Sequence, residues 1–285
     1  MELQLFETIE KFVQLTKDLH EPDLEKPWAW HSYDGEGVRF AFFRTYEELQ
    51  ELAVKLELER VNLGYPLTSA QRILGQYHVA FRSLEAVLLA VDSEIEEVPP
   101  AEGEWSIRET LAHILRADIG FYIVIRHALD RFRAGDLRPE EISDEVAERI
   151  LGLDEKAYNS LLEGSYENLR CFHTEHHQRI LDDFGGISEQ ELEVGSKYWE
   201  DEEMSLRFRL HRFDSHMRQH TIQVEKALSD LDHAPNEINR LHRMIYCALA
   251  DCENKLIGSP VVGEALRNEL IKTIHTRVEE IAALV

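Results

Sequence analysis

Apolar residues recur at intervals of three and four along most of this chain, the pattern of amphipathic helices. The stretch that shows it best runs from Leu206 to Leu228. Leu206, Leu210, Phe213, Met217, Val224 and Leu228 mark one face, and His220 fills the slot between Met217 and Val224. His216 stands one turn earlier on that face, so the two imidazoles are i,i+4 neighbours about 6 Å apart at Cβ. Two rings on an inward stripe suit a divalent metal, because the helix points their nitrogens to the same side. The same spacing also arises by chance in a chain with fourteen histidines.

Similar periodicity predicts the other elements. A helix over 2–20 is ended by Pro22 and Pro27. Aromatic runs on both sides of Asp34-Gly35-Glu36-Gly37 predict a β-hairpin from Trp28 to Phe43. Thr45 with Glu48 has capping-box spacing and predicts a helix to Glu59, followed by a linker at 62–66. Four long helices follow, at 68–92, 106–133, 156–184 and about 203–231, with a short one at 143–151 and an acidic irregular stretch at 187–199. Ser106 and Glu109 form a capping box at the start of the second long helix, and Gly185-Gly186 ends the third. Pro235 opens a helix to Ile257, and a last one covers 262–284. The expected class is mainly α: an antiparallel four-helix bundle over 67–231, an N-terminal helix and β-hairpin extension over 1–66, and a C-terminal helical hairpin over 232–285 packed on the bundle.

Composition narrows the function. The chain has 31 basic and 55 acidic residues, a formal charge of −24. No basic face is available to neutralise phosphates, so nucleic acid is excluded as a partner, and so is an anionic membrane surface. The longest apolar runs, such as 121–125, are too short to span a bilayer. The start, MELQLFETIEKF, lacks the basic and apolar regions of a signal peptide. Cys171, Cys247 and Cys252 have no metal-binding spacing and are expected as reduced thiols. The expectation is a cytoplasmic protein.

In the second long helix, Trp105-Ser106 precedes the capping turn and His113 lies two turns in, just off the stripe of Ile107, Leu111 and Ile114. With WSIRETLAHIL at 105–115 and LRFRLHRFDSHMRQHTIQ at 206–223, the chain resembles the DinB-like superfamily over residues 67–231. That resemblance implies a four-helix bundle with a metal held by three histidines, which by position are His113, His216 and His220. Three neutral imidazoles leave an open coordination position, as in catalytic zinc sites. Zinc or nickel suits nitrogen donors, whereas magnesium prefers oxygen.

Superfamily members of known chemistry are mainly metal-dependent transferases or isomerases that use a low-molecular-weight thiol. The resemblance therefore implies a small-molecule thiol and an electrophilic substrate as partners. The alternatives are a non-catalytic metal-binding or stress-response bundle acting through a partner, and a purely structural bundle. Arg212 and Arg218 are the candidates for a basic pocket. The resemblance is compatible with a homodimer, although a charge of −24 requires any such interface to be apolar. On the third long helix, His173, His176 and His177 read as core histidines, second partners of the ligands or a competing pair. Asp118 reads as a seam-edge carboxylate reaching solvent, with a hydrogen bond from one of these rings as the alternative, and His211 as structural.

Overall fold

The computed structural model describes residues 2–136, 138, 140–198, 202–259 and 261–285. Among them are eleven α-helices and one two-stranded sheet. Contacts divide the chain into two units. One takes residues through Leu67, with Glu85–Ala90 and Ala234–Val285; the other takes Thr68–Leu84 and Val91–His233. The N- and C-terminal segments, expected as separate additions to a bundle, thus form a unit together.

In the first unit, helix α2 (Gly37–Asn62) packs on α10 (Glu237–Asn254) and α11 (Glu264–Ala282), and α1 (Glu2–Thr16) packs on α11 and α10. Ile9, Phe12, Phe42, Leu49, Ile245 and Ile274 lie at its centre with no exposed surface. Arg60, 2 % exposed, donates to the carbonyls of Tyr65, Lys255 and Ile257, which ties together the turns that follow α2 and α10.

The expected hairpin at 28–43 is absent. Trp30 and Tyr33 form a single bridge, and α2 is already helical from Gly37. Val38, Ala41, Phe42, Thr45 and Leu49 are all fully buried, a helical stripe that continues through the run which had looked like a strand. Thr45 is therefore no cap: its hydroxyl donates to the Ala41 carbonyl at 2.8 Å within the helix. The turn before α2 depends on Gly37, whose φ is +58°, and a Cβ there would meet the backbone of Leu24 through Lys26.

In the second unit, α4 (Ile107–Arg133) packs along α9 (Leu206–Asp230) and α7 (Tyr166–Phe184), and against the short helices α5 (Asp144–Leu151) and α6 (Glu155–Leu162). Ser106 and Glu109 close both halves of the expected capping box. Helix α3 (Ser69–Leu88) adds Tyr77, whose ring centre is 5.0 Å from that of Phe213, and Phe81, which stacks on His177 at 3.8 Å.

The helix expected over 156–184 is two. Glu163, Gly164 and Ser165 break it, with Ser165 accepting from Asn168 N–H to start α7. Arg108 of α4 donates to the carbonyls of Leu162 and Gly164, which stabilises the break. Within 187–199, a short α8 (Glu189–Leu192) precedes β1 (Gly195–Ser196), while Trp199 lies outside the described residues. Strand β2 (Met204–Ser205) pairs antiparallel with β1, and Ser205 caps α9 through Phe208 N–H. This hairpin sets where α9 begins. None of the helices among the described residues is long and apolar enough to cross a membrane.

Candidate metal centre

Packing of α4 along α9 brings His113 to His216 and His220. The Nε2 of His216 lies 3.2 Å from that of His113 and 3.1 Å from that of His220. One ligand atom from each of the three falls within 4.8 Å of the others, the one such group of three among the described residues. His216 and His220 are each 6 % exposed, while His113 is half-buried. The Trp105 ring lies 4.8 Å from that of His113, and Phe121 meets His216 edge-on at 5.9 Å.

Hydrogen bonds alone account poorly for this cluster. His220 Nδ1–H donates to Gln223 Oε1 at 2.8 Å, which leaves the lone pair on His220 Nε2. A proton on His216 Nε2 would serve only one of the two close nitrogens. His216 Nδ1, also buried, has no hydrogen-bond partner. A cation between the three lone pairs removes the conflict. With metal–nitrogen bonds of about 2.0–2.1 Å, the edge of a tetrahedron is about 3.3 Å, close to the spacings found.

The rings are also disposed to be neutral. Burial pushes His216 down to about 3, helped by His220 and His113. Burial first, then His220 and Arg116, lowers His113 below the ordinary imidazole value. Near neutral pH both rings offer lone pairs without first losing a proton.

Gln223 was not singled out in the sequence, although His220-x-x-Gln223 is an i,i+3 pair on one helix face and carries that signal. His211 is exposed and takes no part in the cluster. Neither proposed basic residue is free: Arg218 pairs with Asp214 at 2.7 Å, and Arg212 lies over the Phe121 ring at 5.7 Å and donates to Ser215.

A second polar cluster joins α3, α4 and α7. Asp118, expected to reach solvent, is fully buried, because position 118 faces α3 and α7 rather than the helix edge. Its Oδ2 accepts from the Tyr77 hydroxyl at 2.8 Å and lies 3.6 Å from His173 Nε2. His173, His176 and His177 are core residues, at 0 %, 3 % and 2 % exposure. They are incompletely paired: both ring nitrogens of His173, Nε2 of His176 and Nδ1 of His177 lack hydrogen-bond partners. His177 Nε2 and His78 Nδ1 are 2.8 Å apart. These residues do not supply three ligand atoms within metal-binding reach of one another.

A family model described as the DinB superfamily matches residues 76–224, just over half of the chain. No curated protein and no solved structure matches the chain.

Proposed function

The chain belongs to the DinB superfamily, a metal-binding family, and on that premise we propose that His113, His216 and His220 hold one divalent cation, zinc or nickel. The setting we assign to it is an antiparallel four-helix bundle of α3, α4, α7 and α9. The observation that carries the reading is the convergence of three imidazole nitrogens with conflicting hydrogen-bond needs. A cation bound there supplies Lewis acidity, which lowers the pKa of a thiol or water at its open position. The chain's own residues do the remaining work. Gln223 fixes the tautomer and tilt of His220, and Trp105 and Phe121 pack against the rings of His113 and His216, limiting the approach of water. The activity proposed is a metal-dependent transferase acting on a low-molecular-weight thiol and an electrophile.

One observation favours a second reading, a non-catalytic metal-binding bundle. None of the three histidines lines the cavity of about 700 Å³ in this unit, and two of them are almost completely covered. The test separates the two. Elemental analysis is expected to find one metal per chain in the wild type and almost none in His216→Ala or His113→Ala. Equal metal in all three would place the site elsewhere. Turnover of thiol and electrophile by the loaded wild type, lost in both variants, supports the transferase; metal without turnover across a thiol panel supports the second reading.

The proposal includes a homodimer. On α2, Val54, Leu58 and Val61 are 60 %, 59 % and 55 % exposed at helical spacing, the apolar face that self-association of so acidic a chain requires. Light scattering should return twice the chain mass, and Leu58→Glu should return the chain mass alone. A wild type that stays at the chain mass at every concentration sinks this part.

A further inference from the structure

A cavity of about 700 Å³ lies between α4 and the α5–α6 segment, bounded also by the residues that follow β1. That size is ordinary for a small-molecule site. Its floor is apolar, from Ile119, Ile123 and Val124 of α4 and from Leu151 and Leu153. Gly120 of α4 leaves room beside them for the Tyr198 hydroxyl, which a Cβ at this position would displace.

The polar groups of this cavity are divided by element. Arg116 of α4 and Lys197 after β1 supply the positive charge, while five carboxylates, Glu141, Asp144, Glu148, Asp154 and Glu155, come from the segment around α5 and α6, Glu148 and Asp154 already accepting from the N–H groups of Glu155 and Ala157. Arg116, Lys197, Glu141 and Asp144 make no hydrogen bond or ion pair through their side chains among the described residues. Other arginines of the same unit are engaged: Arg108 with carbonyls, and Arg131, Arg133, Arg207 and Arg218 with carboxylates. In a chain of charge −24, carboxylates are abundant, so a cation at a cavity wall without one is unspent binding capacity. Tyr158 stands nearby as a neutral hydroxyl, its pKa raised by burial against the opposing charge of Arg116.

A ligand with one sign of charge fits this lining poorly. An anion on Arg116 would share the cavity with five carboxylates, and a cation on those carboxylates would leave Arg116 and Lys197 without a counter-charge. A molecule with both charges and an apolar body meets both walls and the floor. The geometry points to a zwitterion of the amino-acid or short-peptide class as the occupant. Its carboxylate binds Arg116, which offers paired N–H donors, with Lys197 and Tyr158 beside it; its ammonium lies toward Glu141 and Asp144. This inference does not rest on the metal reading, since none of the three clustered histidines lines the cavity.

Calorimetric titration of the full chain in EDTA tests it without any metal contribution. The probes are L-leucyl-L-leucine, its N-acetyl derivative, which keeps only the carboxylate, and its C-terminal amide, which keeps only the ammonium. The unmodified dipeptide is expected to bind at least tenfold more tightly than either capped form. Arg116→Met should weaken the dipeptide and the acetylated form at least tenfold and leave the amide unchanged. Asp144→Asn should weaken the dipeptide and the amide and spare the acetylated form. Melting curves show whether each variant is folded, and both positions are solvent-exposed. The inference is overturned if either capped form binds as tightly as the dipeptide, if none of the three binds, or if Arg116→Met leaves dipeptide affinity unchanged. A protein that carries metal and fails this titration loses the cavity ligand alone.

Discussion

Zinc or nickel added to metal-stripped wild type is expected to raise the melting temperature by about 5–15 °C, and to leave that of His220→Ala unchanged. A ligand that binds only the folded state stabilises it by about 2.7 kcal/mol at a free concentration of a hundred times Kd, and by about 4.1 at a thousand times. For a unit of this size each kcal/mol is worth about 2–4 °C. The three histidines sit on α4 and α9, which pack against each other, so melting of that contact would release an ion held between them. Gln223→Leu gives a graded version. It removes the acceptor that holds His220 Nδ1–H at 2.8 Å, and loss of such a contact costs about 10–100-fold in metal affinity. The metal-induced shift should shrink in that variant without disappearing. An equal shift in wild type and His220→Ala, followed by scanning fluorimetry, removes His220 from the site.

The second large effect is acid sensitivity. Burial pushes both His176 and His242 down to about 4 from an ordinary 6.5, one in each unit. Between those values the unfolded chain takes up protons that the folded chain refuses, so stability is complete above pH 6.5 and falls as pH drops toward 4. At pH 5 each ring costs about 2 kcal/mol, a pair total of about 4 against a typical stability of about 5–15. His177, held below its ordinary value mainly by burial, acts in the same direction. Carboxylates paired with arginine titrate lower still; Glu191, bonded to Arg133, is held at about 2. Urea denaturation in EDTA should therefore show a marked loss between pH 7.5 and pH 5. The double variant His176→Leu/His242→Leu should show a clearly smaller one. Equal stability of the wild type at the two pH values contradicts this account.

Parts of the site were legible because they are local. His216 and His220 share a helix face at a spacing visible in the sequence, and the Ser106–Glu109 box fixes where α4 starts. His113 was not legible from periodicity, since it lies beside its stripe; the family resemblance supplied it. The run Val38–Phe43 was misread because six mostly apolar residues in a row fit a strand and a buried helix equally well. What settles it is Gly37, which turns the chain against the Leu24–Lys26 backbone, a contact with no sequence signature. The break at 163–165 had its signal in Gly164-Ser165, hidden by a stripe that continues in phase on either side. The full burial of Asp118 and the cavity around Arg116 could not be read. Each is defined by what other elements place opposite α4, and a single sequence does not carry those distances.

The division of the chain into two units also sets an order on synthesis. The core of the first unit combines α1 and α2 with α10 and α11, so it cannot close until residues beyond 234 have been made. At about 5–20 residues per second, roughly 170 intervening residues take about 8–35 seconds to add. During that interval Phe12, Phe42 and Leu49 have none of their α10 and α11 neighbours to cover them. The stretch from 91 to 233 holds most of what the second unit needs and is complete earlier. On the ribosome, the inserted unit can thus finish folding while the unit that encloses it in sequence is still waiting for its second half.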